Sequence, residues 1–227
     1  MTNTSRRAFL SLTGAAVVGV GLAGCSLIGA GNTADGPAKV NRPLNKSRTL
    51  VAYFSMPETD APNNMSEEEA YSTVVIDGKV LGNTQYVAQL IGARTGAKLF
   101  RIETAKKLPL DHGELEDISR AQQGIKARPK LKAVPPNLDA YETVFIGYPI
   151  WWYDMPMPIY TFLEQNDFSG KNIILFCTHG SSGLGGTVGT VTKALSDSTV
   201  LSNGFEISRD DMDSADRQVR DWLASIT

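Results

Sequence analysis

The sequence predicts an α/β fold, a doubly wound parallel sheet of five strands. Three observations carry this. From Arg48 to the C-terminus, short apolar runs alternate with helix-length segments, the pattern of a mostly parallel sheet covered by helices. The runs are continuously apolar rather than alternating, as in strands buried on both faces. Loops of unusual chemistry follow the first, third and fourth runs, at the edge where open α/β sheets hold ligands.

Each element follows in order. "TLVAYFS", 49–55, is the first strand. A segment at 56–82 then delays the first helix well beyond the two to six or so residues usual between strand and helix. It reads as an insertion bordering the ligand crevice, and Asp77-Gly78 between short apolar runs signals a hairpin within it. Its acidic run, 67–69, reads as a solvated face. "NTQYVAQLIGARTG" places Tyr86, Val87, Leu90 and Ile91 at helical spacing, with Gly96 as the stop. "AKLFRIE" is the second strand. "HGELEDISRAQQGIKAR" is a polar helix with His112 facing solvent, ended by a proline-rich stretch. "YETVFIGYP" is the third strand, and "MPIYTFLEQN" a helix with prolines near its start, where they are tolerated. Asp154 reads as its cap. "KNIILFCTHG" is the fourth strand, with Cys177 as a small core residue. "GTVGTVTKALS" is a modest helix and "STVLSNGFEIS" the fifth strand. "SADRQVRDWLASI" is an amphipathic helix with Val219, Trp222 and Leu223 on one side.

The chain has 227 residues, room for one well-buried domain of this kind. Its formal charge is −2 and no basic stripe is present, which argues against a nucleic-acid partner. With only Cys25 and Cys177, a disulfide framework or cysteine-based zinc site is not expected; no metal site is read from the sequence.

The first residues stand apart. Arg6 and Arg7 precede an apolar, Gly- and Ala-rich segment at 8–24 that is short for a membrane span. The paired arginines followed by Phe9 and Leu10 resemble a twin-arginine signal. "LAGC" resembles a bacterial lipobox, which implies lipidation at Cys25. The expected organisation is a signal peptide at 1–24, a lipid-anchored flexible linker at 25–47 and a domain at 48–227. Such a chain is exported and held on the extracytoplasmic face of a bacterial membrane through its lipid.

The three loops share a logic. Ser55 with Gly82, Asn83, Thr84 and Gln85 stands at a helix start, where free N–H groups and the helix dipole suit a phosphate. That loop holds no Lys or Arg, so recognition there rests on neutral donors. Pro149, Ile150, Trp151, Trp152 and Tyr153 form an aromatic wall directly after the third strand. "CTHGSSGLGGT" after the fourth lets backbone donors approach a ligand closely. Phosphate cradle, aromatic wall and backbone donors together suit an isoalloxazine ring.

With "VAYFS…GNTQYVA", "FIGYPIWWYDMPMPI" and "FCTHGSSGLGG" in this order, the chain resembles the flavodoxin family, in particular flavodoxin-like bacterial proteins with a long phosphate-loop insertion. The resemblance covers the domain from Arg48 onward. It implies non-covalent FMN, with Ser55, Gly82, Asn83, Thr84 and Gln85 at the phosphate. Pro149, Ile150, Trp151, Trp152 and Tyr153 lie beside the ring, and Thr178, His179, Gly180, Ser181 and Gly183 along its far edge. The compact hydroxyl-rich stretch of a typical flavodoxin is replaced by the excursion from Met56 and Pro57, leaving Ser72 or Thr73 as substitutes.

No catalytic side chain is required, because the flavin carries the chemistry. Three functions are consistent with this reading: a membrane-tethered electron carrier, an FMN-dependent reductase of a quinone or other small acceptor, and a lipoprotein that has kept the fold without the cofactor. The redox partner is not legible from the sequence.

Overall fold

The computed structural model describes residues 44–226. The paired arginines and Cys25 lie outside the described residues, as does all of the expected linker except 44–47. Leu44 packs against the domain core, and Asn45 caps a 3₁₀ turn at Lys46–Arg48.

The sheet strands are β1 (Thr49–Tyr53), β4 (Lys98–Arg101), β5 (Thr143–Pro149), β6 (Asn172–His179), β7 (Thr199–Val200) and β8 (Phe205–Ser208). The order is β4-β1-β5-β6-β7, with β8 also on β6, and every pairing in this sheet is parallel. The expected fifth strand is thus divided. β7 pairs with the start of β6 at Asn172 and Ile173, and β8 pairs with its end from Phe176 to His179. Both occupy one edge position, so the five-position doubly wound plan holds.

The strand side chains separate onto two apolar faces. Leu50, Ala52, Val144, Ile146, Ile173 and Leu175 pack with Ile159 and Phe162 of α4 (Met157–Gln165) and Val191 of α5 (Thr187–Ala194). Val51, Tyr53, Phe145, Ile174 and Phe176 pack with Val87 and Ile91 of α2 (Asn83–Thr95) and Val219 and Leu223 of α6 (Ala215–Ile226). This two-sided burial explains the continuously apolar runs. Each fully buried aliphatic or aromatic side chain stabilises by roughly 1.5–3 kcal/mol, so the central strand ends form a firm frame. Among the described residues, no helix is long and apolar enough to cross a membrane.

The insertion has its own order. Its hairpin joins β2 (Thr73–Ile76) to β3 (Lys79–Gly82). Asp77 and Gly78 both carry positive φ, 49° and 72°, as the tight mirror-image turn requires. Before it lies α1 (Glu67–Ser72), an element the sequence reading did not anticipate. Ser66 and Glu69 form a reciprocal capping box. The acidic run occupies the first turn of this helix, where the dipole favours negative charge. α3 (His112–Gly124) follows β4 as expected.

Candidate functional site

The carboxyl ends of β1, β5 and β6 open onto a cleft of about 210 Å³. At β1, the buried Ser55 Oγ accepts a hydrogen bond from the Gln85 amide at 3.1 Å, tying the strand exit to the first turn of α2. The hydroxyl proton of Ser55 remains available to donate. Gly82 is the N-cap of α2 and has no side chain with which to cap it, so the Gln85 amide is met from outside the helix by Ser55. A Cβ at Gly82 would fall 2.1 Å from Ser55 Oγ, so only glycine permits this approach.

Asn83 is 4% exposed. Its Nδ2 donates to the Tyr71 carbonyl at 3.0 Å, while its Oδ1 is buried without a partner. The buried Thr84 and Thr178 hydroxyls share one hydrogen bond of 2.8 Å, which couples the start of α2 to the end of β6 and leaves one of their two protons free. Ser55, Asn83 and Thr84 line the cleft, whereas Gly82 and Gln85 stand behind it in supporting positions.

The aromatic stretch is a tight hairpin turn. Trp151 and Asp154 exchange two backbone hydrogen bonds, 2.9 and 3.0 Å, and Trp152 and Tyr153 between them have φ of 50° and 64°. This turn distributes the three rings. Trp151 packs edge-to-face on Phe54, centroids 5.4 Å apart. Trp152 Nε1 donates to Ser119 Oγ of α3 at 2.9 Å, and the Arg120 guanidinium lies 3.8 Å from its ring centroid. Both tryptophans line the cleft with Pro149 and Ile150. Tyr153 does not; it is 82% exposed, because the turn projects it away from the other two. Asp154 is not the helix cap, a position held by Pro156. It accepts instead from the Met155 amide at 2.7 Å and the Tyr160 hydroxyl at 2.9 Å.

From the third loop, Thr178, His179 and Gly180 line the cleft, and Ser181 and Gly183 do not. The space beside Gly183 is taken by the Glu206 carboxylate, which accepts from the Leu184 amide at 2.7 Å. His179 Nδ1 is buried and unpartnered. Cys177 is fully buried, and burial pushes its thiol well above the ordinary range, which keeps it protonated.

Several lining residues escaped the sequence reading: Met56, Glu58 and Tyr71 from the insertion, Leu115, Glu116 and Ser119 from α3, and Arg209 after β8. Ser72, anticipated as a substitute hydroxyl, is there too; its Oγ accepts from the Glu58 amide at 3.1 Å. Thr73 is buried behind it and pairs with Gly82. His112 does not face solvent. It lines the cleft with its Nδ1 2.5 Å from Glu58 Oε2 and its Nε2 3.5 Å from Glu116. Burial alone would lower its pKa, but the hydrogen bond and charge of Glu58, together with the nearby Glu116 and Glu68, outweigh this and raise it. Arg209 had a legible signal, since the residue after any parallel strand reaches this same edge. Among the described residues, no group of three or more His, Cys, Asp or Glu side chains is placed to hold a metal ion.

Residues 72–226 match the flavodoxin family model, and the chain belongs to the flavodoxin family. Among solved structures it resembles a protein of Bacteroides eggerthii provisionally classed as a flavoprotein. That match has 28% identity and a TM-score of 0.59, covering 79% of this chain and 98% of the other. A similarly classed protein of Bacteroides uniformis matches at 26% identity and TM-score 0.58, over 77% and 98%. A flavoprotein of Lactobacillus acidophilus, crystallised in complex with FMN, shares the fold at 19% identity and TM-score 0.52, over 78% and 99%. No curated protein matches the chain.

Proposed function

We propose that this flavodoxin-family chain binds FMN non-covalently in the cleft and passes electrons through it, as an exported protein tethered to a membrane. One observation carries the reading. The N-terminus of α2, whose N-cap Gly82 offers no side chain, shares one cleft with two tryptophans and with three residues that hold buried, unpartnered polar atoms: Asn83, His179 and Arg209. Buried polar atoms without partners are few in native proteins, and three in one cleft call for a polar ligand.

The residues suit FMN. Ser55, Ser72, Asn83 and Thr84 with the first amides of α2 would hold the phosphate. Ile150, Trp151 and Trp152 would flank the ring, and Thr178, His179 and Gly180 would meet its polar edge. When bound, FMN supplies the reversible one- and two-electron chemistry. The chain's part is to orient and shield. Trp152 is already held by Ser119 and Arg120, so the wall needs no rearrangement on binding, and Tyr71 from the insertion narrows the cleft. Export and tethering rest on Arg6, Arg7 and the "LAGC" ending at Cys25.

A second reading, a reductase of a quinone or other small acceptor, draws support from the remainder of the lining. Glu58, His112, Leu115 and Glu116 extend the cleft beyond the three flavin loops, and a protonated His112 is a proton source at its wall. The test is the visible spectrum of the purified full-length protein. A yellow protein that releases FMN on denaturation supports binding; a colourless one that takes up no added FMN refutes it. NAD(P)H-driven turnover of a quinone by the yellow protein would then favour reductase over carrier.

A further inference from the structure

We infer that Arg209 is the cation at the phosphate end of the flavin site and sets the preference for FMN over riboflavin; this rests on the flavin reading above. The cradle residues Ser55, Ser72, Asn83 and Thr84 are neutral. A phosphate monoester carries about −1.5 to −2 charges at pH 7, and a helix N-terminus offers only about +0.5. Glu58 and Glu116 add acid to the same cleft, and only His112 stands against them. A cation within reach would therefore strengthen the binding of a dianion beyond what these neutral donors supply. Arg209 is the lone Lys or Arg among the described residues that line the cleft.

Apart from its contact with the Tyr71 ring, its guanidinium has no close ion-pair partner among the described residues. Arg128 makes two hydrogen bonds to Glu164, 2.7 and 2.8 Å, Arg94 is bound to Asp216 at 2.5 Å, and Arg48 to Glu142 at 3.0 Å. Arg209 has only Asp210, with Oδ1 4.0 Å from Nε, beyond hydrogen-bonding distance. Its Nε is buried and unpartnered.

Its position is determined from three sides. The pairing of β8 with β6 ends at Ser208 opposite His179, so Arg209 starts at the rim of the cleft. The guanidinium lies 3.7 Å from the Tyr71 ring centroid, and the Tyr71 carbonyl accepts from Asn83, the first residue of α2. Gly180 is also close, since a Cβ there would stand 3.7 Å from Arg209 Cζ. A cation is thus held at the cleft wall on Tyr71, the residue whose backbone carbonyl meets the start of α2.

The test titrates FMN and, separately, riboflavin into flavin-free full-length protein, comparing wild type with Arg209→Met and Arg209→Lys. Loss of a charge-assisted contact should weaken FMN about tenfold to a hundredfold in Arg209→Met. Riboflavin affinity should stay the same, and Arg209→Lys should recover part of the loss. The wild-type preference for FMN should also fall with added salt more steeply than that of Arg209→Met. An equal loss for both flavins would overturn the assignment in favour of a stacking role that holds Tyr71 and the insertion. Unchanged FMN affinity would overturn it outright. Wild-type protein that binds neither flavin would refute the flavin reading itself, and this assignment with it.

Discussion

The two ends of the cleft are held in different ways. At the aromatic end, Trp151 and Trp152 sit on a turn that leaves a fully buried strand, backed by Phe54 and by α3. At the insertion end, Tyr71 and Glu58 reach the cleft from a six-residue helix and an irregular loop. Polar or ring contacts to His112 and Arg209, from elsewhere in the chain, hold them there. The first end stands on apolar burial in the strand and at Phe54, worth a kilocalorie or more per side chain, to which Trp152 adds a hydrogen bond and a cation–π contact. The second depends on ion-pair and cation–π contacts in partly exposed surroundings, each worth about 1 kcal/mol or less. The frame should therefore resist conditions that loosen the insertion.

The contrast can be broken most severely in the frame. A Cβ at Gly147 of β5 would stand 2.0 Å from Phe176 Cζ in the buried sheet. Gly147→Ala should cost about 3 kcal/mol or prevent folding, read from urea denaturation. A variant of near wild-type stability would show that the frame yields easily. Next, Thr84→Val strands the buried Thr178 hydroxyl and should cost roughly 1–3 kcal/mol by the same measurement; no change would mean that the threonine pair does not couple α2 to β6. Trp152→Phe removes the hydrogen bond to Ser119 and should cost about 1 kcal/mol, with the insertion unaffected.

The smallest effect on global stability belongs to the insertion, and it depends on pH. His112 has a folded pKa above its ordinary value of 6.5. The stabilisation from its pair with Glu58 is therefore full below that value and is lost as pH rises through the higher folded pKa. Protection from amide exchange in segment 58–72, corrected for the intrinsic rise of exchange with pH, should fall across that window while β5 and β6 keep theirs. Glu58→Gln should flatten the dependence. An equal loss of protection in the strands would erase the distinction between the two ends.

The parts legible from sequence are those set by local burial. β1, β5 and β6 announce themselves as apolar runs, and the loops after them follow from parallel topology. The Asp77-Gly78 hairpin was legible because its turn demands positive φ. Helix α1 was missed although Ser66 and Glu69 spell a capping box; an acidic run on so short an element reads as solvent-facing. The division of β7 from β8 was not legible, because both pair with one strand at separate points. The outward placement of Tyr153 comes from the backbone turn at Trp152, which the aromatic pattern conceals. The edge position of Arg209 was legible, but the contacts made by His112 and Arg209 were not. Their roles come from Glu58 and Tyr71, residues distant in sequence, and no periodicity encodes such contacts.

The central claim is that the start of α2 and the aromatic turn together form an FMN site. Calorimetric titration of FMN into the flavin-free full-length protein tests it most directly, with the Asn83→Ala/Thr84→Ala variant alongside. Saturable binding at a single site is expected in the wild type, with clearly weaker binding in a variant that still melts cooperatively. No binding heat in the wild type, or equal affinity in the two proteins, would contradict it.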